Sequence, residues 1–157
     1  MGECHDDSRC VKRTLERILE AQRNVKIKKD DSCRTSCLRP LGMHPKNTIP
    51  FMLFCNCQPL KVEGVTTCFD EHSQKEKFVC FLTFVFKLID IKDDCVILEL
   101  LKFKNHHTCV PNSHNHICSP CCQFNCEDVD DLNSTGVCVT FEISSFNGIH
   151  CLAPVCI

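Results

Sequence analysis

Residues 78–91 read FVCFLTFVFKLIDI. Phenylalanine, valine and isoleucine suit the pleated, half-buried surface of a β-strand. In an extended chain alternate side chains share a face. Phe78, Cys80, Leu82, Phe84 and Phe86 then line one face, and Val79, Phe81, Thr83 and Val85 the other. Both faces are apolar, which predicts a strand covered on both sides. Lys92-Asp93-Asp94 follows as a turn, and residues 95–104 (CVILELLKFK) return as the second arm of a hairpin.

Strand signals continue outward from this hairpin. Upstream, residues 48–55 (TIPFMLFC) form a short strand preceded by loop chemistry, Arg39-Pro40-Leu41-Gly42 and His44-Pro45-Lys46-Asn47. Downstream, residues 105–134 read as a loop crowded with Cys, His, Asn and Pro. Residues 137–143 (VCVTFEI) alternate cleanly, with Val137, Val139, Phe141 and Ile143 on one face and Cys138, Thr140 and Glu142 on the other. Asn147-Gly148 is a turn signal before a short terminal stretch.

Only residues 8–26 carry a clear helical period. Val11, Leu15, Ile18, Leu19 and Val25 fall on one side. Ser8 is placed to cap the start, with Asp6 and Asp7 where the helix dipole favours negative charge. Lys26, Lys28 and Lys29 lie at the opposite end, and Asp30-Asp31-Ser32 breaks the pattern. This face either docks on the chain's own core or serves as an arm that docks on a neighbouring subunit. One helix cannot cover both faces of a sheet, so a second sheet or another subunit has to. The expected fold is mainly β: an antiparallel β-sandwich-like domain with an N-terminal amphipathic α-helix. The expected division is a Cys/His head and helical arm over 1–31 and a cysteine-rich β domain over 32–157.

The chain has 157 residues, enough to bury a core without staples. A net charge of −2 creates no strong field, so nucleic acid and anionic membrane are poor partners. The outlier is 17 cysteines, a density that usually marks disulfide-scaffolded secreted proteins. Yet Met1-Gly2-Glu3-Cys4-His5-Asp6-Asp7 is acidic and leads into a charged helix, so no signal peptide is expected. Three classes reconcile the two signals: a cytosolic zinc protein, a cysteine enzyme or redox protein, and a structural protein cross-linked after its cell stops being reducing.

An odd cysteine count leaves at least one thiol unbridged within the chain. Cys80 reads as a small buried hydrophobe among phenylalanines. Cys55 and Cys57 would share a face if their strand continued. The cross-linking candidates are Cys4, Cys10, Cys33, Cys37, Cys109, Cys118, Cys121, Cys122, Cys126, Cys151 and Cys156. The sharpest local cluster is the loop 106–126. Zinc takes four N or S ligands, often from a Cys-x2-Cys knuckle and a second pair. Cys118 and Cys121 form such a knuckle, with Cys109, His114 and His116 as the second source. That second source is unusually close in sequence, so a disulfide or inter-chain cross-linking loop and a loop of free thiols stand beside the zinc reading. Catalytic readings are weak: five scattered glycines make no phosphate loop, and with so many cysteines and histidines a nucleophile pair can always be drawn. No cofactor other than zinc is suggested.

The order of features resembles a known family. A short Cys/His head and an amphipathic helix ending near Glu20-Ala21-Gln22 precede Cys33-Arg34-Thr35-Ser36-Cys37 and Asn47-Thr48-Ile49-Pro50-Phe51. Then come a Phe-rich hairpin with Asp94-Cys95 and Leu98-Glu99-Leu100-Leu101, Val137-Cys138-Val139, and a close at Cys151-Leu152-Ala153-Pro154. This is similar to the cysteine-rich spore coat proteins of the CotY/CotZ type, among them the exosporium protein ExsY. The resemblance implies a non-enzymatic, self-assembling protein of the outermost bacterial spore layer, crust or exosporium basal layer. It implies disulfide-reinforced two-dimensional arrays, with the chain itself and other coat proteins as partners. It also implies synthesis in the mother-cell cytoplasm without export, because mother-cell lysis exposes the array to air. The alternative is a cytosolic zinc-binding interaction module using the loop 106–126.

Overall fold

A computed structural model describes residues 8–27, 46–104 and 119–157. Helix α1 spans Ser8–Ile27. The strands are β1 (Phe51–Cys55), β2 (Gln58–Pro59), β3 (Val62–Asp70), β4 (Lys75–Thr83), β5 (Phe86–Lys92), β6 (Cys95–Phe103), β7 (Leu132–Glu142) and β8 (Gly148–Cys151), with a short helix α2 (Pro120–Phe124) before β7. Among the described residues they build a six-stranded antiparallel sheet in the order β2–β1–β5–β6–β7, with β8 paired to β1. β3 and β4 form a separate two-stranded hairpin. The mainly antiparallel β fold with an N-terminal helix is the one expected.

The β5–β6 hairpin forms around the Asp93-Asp94 turn, with Asp93 in the left-handed region (φ 56°). β7 alternates as its sequence requires, Val137, Val139 and Phe141 packing inward while Cys138, Thr140 and Glu142 face solvent. The stretch 78–91 departs from expectation. It is two strands in two different sheets, interrupted at Phe84 and Val85. Residues 83–86 are fully buried, whereas Phe78 is 83% exposed and Cys80 is also exposed. Apolar residues on both faces of a strand do not by themselves show that both faces are covered, and a two-residue break leaves no mark on a period of two. The Cys80 reading as a buried hydrophobe falls for the same reason.

The break is held by side-chain hydrogen bonds. Gln123 of α2, 1% exposed, accepts from the Phe84 N–H through Oε1 (2.8 Å) and donates through Nε2 to Thr83 Oγ1 (2.8 Å). Thr83 Oγ1 donates to the Leu101 carbonyl (2.7 Å) and accepts from the Val85 N–H (3.1 Å). Buried backbone groups need such partners. α2 falls in a stretch whose sequence reads as loop. Ser119 caps it, accepting from the Cys122 N–H, and Pro120 occupies its first turn, a start signal that the surrounding cysteines obscured.

α1 buries Val11, Leu15, Ile18 and Leu19 in one cluster with Phe51, Leu53, Phe86, Leu88, Val96, Leu98 and Leu100 of the sheet. Its buried Gln22 donates to the Leu88 carbonyl (2.9 Å) and accepts from the Ile49 N–H (3.2 Å). The Leu88 carbonyl lies where the β5–β6 register shifts, at an irregularity between Leu88 and Asp90. At the surface, Lys12 pairs with Asp94 (3.0 Å) and Arg23 with Asp90 (3.1 Å). Of the two readings of this helix, docking on its own chain's core is the one observed. The division expected at residue 31 lies outside the described residues.

The β3–β4 hairpin rests on the sheet through its base. A Cβ at Gly64 would stand 2.5 Å from Phe81 and 2.8 Å from Leu100, so only glycine lets the two layers approach this closely. Phe81 lies under the Lys102 ammonium, 5.2 Å from the ring centre. Burial pushes Lys102 below its ordinary lysine pKa. At the far end Asp70 accepts from Lys77, Ser73 and the His72 N–H, which hold its carboxyl at about 2.

Leu15→Ala tests the helix docking. Leu15 is fully buried, so unfolding of the full chain in urea should show a loss of about 2–5 kcal/mol, the range for cavity-forming substitutions. Unchanged stability would place the helix off its own core.

Candidate functional site

The chemistry this surface offers is thiol chemistry. Cys10, Cys57, Cys80, Cys121, Cys122, Cys126, Cys138 and Cys151 carry exposed thiols, and those of Cys55 and Cys95 are half-buried. They sit on different elements: α1, the end of β1 and the turn after it, β4, the start of β6, α2 and its exit, β7 and β8. Cys68 and Cys156 are disulfide-bonded.

Rigid local structure fixes several of these groups. β1 ends in a two-residue turn in which Asn56 (φ 53°) and Cys57 (φ 60°) are both left-handed, the geometry of a tight hairpin. The strand therefore does not continue through Cys57, and Cys55 and Cys57 do not share a strand face. The Asn147 carboxamide oxygen accepts from the Cys57 N–H and ties the turn to the residue before β8. On α2, Gln123 points into the core and Phe124 packs edge-on against Phe103, ring centres 5.6 Å apart. Cys121 and Cys122, the two residues before Gln123, are left on the solvent side. Ser119 Oγ lies 3.2 Å from Cys122 Sγ. Cys126 follows in a left-handed conformation (φ 63°).

Cys138 lies directly across the ladder from Glu99. Glu99 is 6% exposed and fills the place where β7 bulges away from β6, accepting from the Gly136 N–H (2.9 Å) and the Ser134 hydroxyl. Gly136 takes the left-handed φ of 72° that this bulge requires. Burial first, and then the Glu99 charge, pushes the Cys138 thiol pKa up. Burial alone raises that of Cys151. Both thiols therefore stay protonated to higher pH than an ordinary cysteine, and the thiolate is the reactive form.

Among the expected cross-linking residues, Cys10, Cys121, Cys122, Cys126 and Cys151 are placed at the surface and Cys156 in a disulfide. Cys4, Cys33, Cys37, Cys109 and Cys118, with His114 and His116, lie outside the described residues. Of the expected zinc ligands only Cys121 is described, and among the described residues no three His, Cys, Asp or Glu side chains gather around a metal-sized space. Cys68 is bonded but is not among the expected cross-linking residues. Its strand, VEGVTTCFD, is rich in Val and Thr, and that composition was the available signal. Cys80 is likewise absent from the expected set, and its exposure follows from the break at Phe84.

No described helix is long and apolar enough to cross a membrane. A family model described as Spore coat protein Z matches residues 1–154. No curated protein and no solved structure matches the chain.

The electrostatic claim about Cys138 is measurable by alkylation. Iodoacetamide labelling across pH 7–10, read by peptide mass spectrometry, should place the midpoint for Cys138 above the usual thiol value of about 8.5. Glu99→Gln removes the charge, so less work is needed to ionise Cys138 and the midpoint should move down. A midpoint that stays in place in Glu99→Gln would remove the carboxylate as a cause.

Proposed function

The chain belongs to the spore coat protein Z family, and from that premise we propose that it is a self-assembling structural protein of the outermost spore layer, crust or exosporium basal layer. Its working groups are thiols that cross-link neighbouring subunits into a two-dimensional array. The single observation that carries this reading is the distribution of exposed thiols over separate elements of one packed body. A thiol held on a rigid element and aimed at solvent cannot reach a thiol on another side of its own chain, because a disulfide requires Cα atoms within about 7 Å. It can reach a neighbour. Apolar exposure supports the same reading, with Phe78, Phe69 and Val65 all outward on the β3–β4 hairpin.

The order of events follows from redox chemistry. Synthesis takes place among reduced thiols, so non-covalent contacts form first and disulfides lock them after the mother cell opens. Partners are further copies of the chain and other coat proteins. No catalytic step is assigned to any side chain.

Electron microscopy of the purified protein, with gels run in the presence and absence of reductant and a metal assay on the same sample, tests the proposal. Sheets or rings, and ladders that collapse on reduction, are the expected result. A monodisperse monomer across a concentration series, carrying stoichiometric zinc, would overturn it in favour of a zinc-binding module built on the loop 106–126.

A further inference from the structure

Among the described residues β3 is the sole strand paired to β4, so the other edge of β4 presents backbone N–H and C=O groups with no described strand against them. Natural sheets protect such edges with charged side chains, proline or bulges. β4 reads Lys75-Glu76-Lys77-Phe78-Val79-Cys80-Phe81-Leu82-Thr83. Its charges are all at the hairpin tip, and the six residues from Phe78 on carry none. The ladder with β3 runs unshifted from Val62↔Thr83 to Asp70↔Lys75, so no bulge twists the edge away. Phe78 stands 83% exposed in this segment, and the exposed Cys80 lies two residues further along the same face.

We propose that this edge is an interface between two copies of the chain, β4 pairing antiparallel with β4 of a second copy about a two-fold axis at Cys80, and that a Cys80–Cys80 disulfide closes it. The inference rests on the reading of the protein as a self-assembling coat subunit and names one contact of that assembly. Charge excludes registers centred nearer the hairpin tip, and the cysteine fixes the axis. With the axis at Cys80, Phe78 meets Leu82 of the other copy and Val79 meets Phe81, each pair occurring twice. Lys75, Glu76 and Lys77 then fall opposite residues 83–85, at the margin of the ladder. Moving the axis to Phe78 would set Glu76 against Cys80 and Lys75 against Phe81, desolvating charge beside apolar rings. With the axis at Cys80 the charges of each copy stay clear of the Phe78–Leu82 segment of the other, so the edge is complementary to itself.

The axis also brings identical residues together. Residues directly opposite in an antiparallel ladder have Cα atoms about 4.5–5.5 Å apart, within the roughly 4.4–6.8 Å span of a disulfide. The oxidant is a low-molecular-weight disulfide. The Cys80 thiol loses its proton to water, and the thiolate attacks one sulfur of the small disulfide, forming a mixed disulfide and releasing one small thiol. The Cys80 thiolate of the second copy then attacks the mixed disulfide at the first Cys80 sulfur and releases the second small thiol. Two protein thiols are oxidised and one small disulfide is reduced.

The test uses the full-length chain, assembled and then treated with glutathione disulfide. Non-reducing digestion and mass spectrometry should find the Cys80 peptide linked to itself, a product that only two chains can make. Cys80→Ser should still assemble but lack that product. Phe78→Lys places a charge in the middle of the edge and should lower the yield of the linked peptide by about tenfold or more at matched oxidant, with an unchanged circular dichroism spectrum confirming the fold. Cross-linked arrays without the self-linked peptide, or Phe78→Lys giving as much of it as the parent chain, would overturn this interface and leave the coat-array reading standing. A parent chain that remains monomeric before and after oxidation would overturn both.

Discussion

The corner at residues 83–85 is the constraint on which the rest of the molecule depends. There the chain leaves the β3–β4 hairpin and enters the main sheet, and the change of direction takes the Phe84 and Val85 N–H groups out of regular ladders while leaving them buried. Gln123 and Thr83 supply the missing partners. A buried amide left without a partner costs on the order of 1–3 kcal/mol, so neither side chain is dispensable to the corner. Because Gln123 belongs to α2, the same bonds that permit the corner also fix α2 against the sheet. Two features far apart in sequence, the outstanding hairpin and the thiol-bearing helix, are set by one polar contact.

The apolar core has a matching economy. α1 closes the sheet face that carries Phe51, Leu53, Phe86, Leu88, Val96, Leu98 and Leu100. The hairpin base extends the same cluster through Val62 and Phe81. The opposite face is covered in two smaller clusters, one around Val85, Leu101 and Phe103, the other around Met52 and Phe84. Three of the buried polar groups occur where ladders are irregular: Gln22 at the β5 irregularity, Glu99 in the β7 bulge and Gln123 at the corner. Among the described residues no buried side-chain polar atom lacks a hydrogen bond. Irregularities of this kind persist because a side chain answers each of them.

Legibility followed the length of each periodic signal. α1 was readable from its helical period, β7 from its alternation, and the β5–β6 hairpin from two apolar runs joined by the Asp93-Asp94 turn. The stretch 78–91 misled because its period continues while its environment changes, and the change is registered in side-chain hydrogen bonds, those of Thr83 and of Gln123 some forty residues downstream. β3 went unread because its inward face carries small and polar residues, Gly64, Thr66 and Cys68, that give little hydrophobic contrast. For the candidate site, the sequence made the chemistry plain and the geometry invisible. A cysteine's type is the same whether it is bonded like Cys68, exposed like Cys80, or turned to solvent by a neighbour's burial like Cys121.

Exposure and rigidity together decide what such thiols are good for. A reactive cysteine on a loose segment samples many partners, including those of its own chain, and forms disulfides indiscriminately. One on a packed strand or a clasped helix has few geometries open to it, and where its own chain brings no thiol within reach it has none without a neighbour. Non-covalent contact must then come first, and each contact raises the local concentration of the one thiol that fits. Thiols such as Cys138 and Cys151, whose pKa values burial raises, ionise less at neutral pH and react later than freely solvated ones. Covalent bonds formed in that sequence would record an arrangement already selected by packing. They would then oppose its dissociation as a kinetic barrier rather than as added affinity.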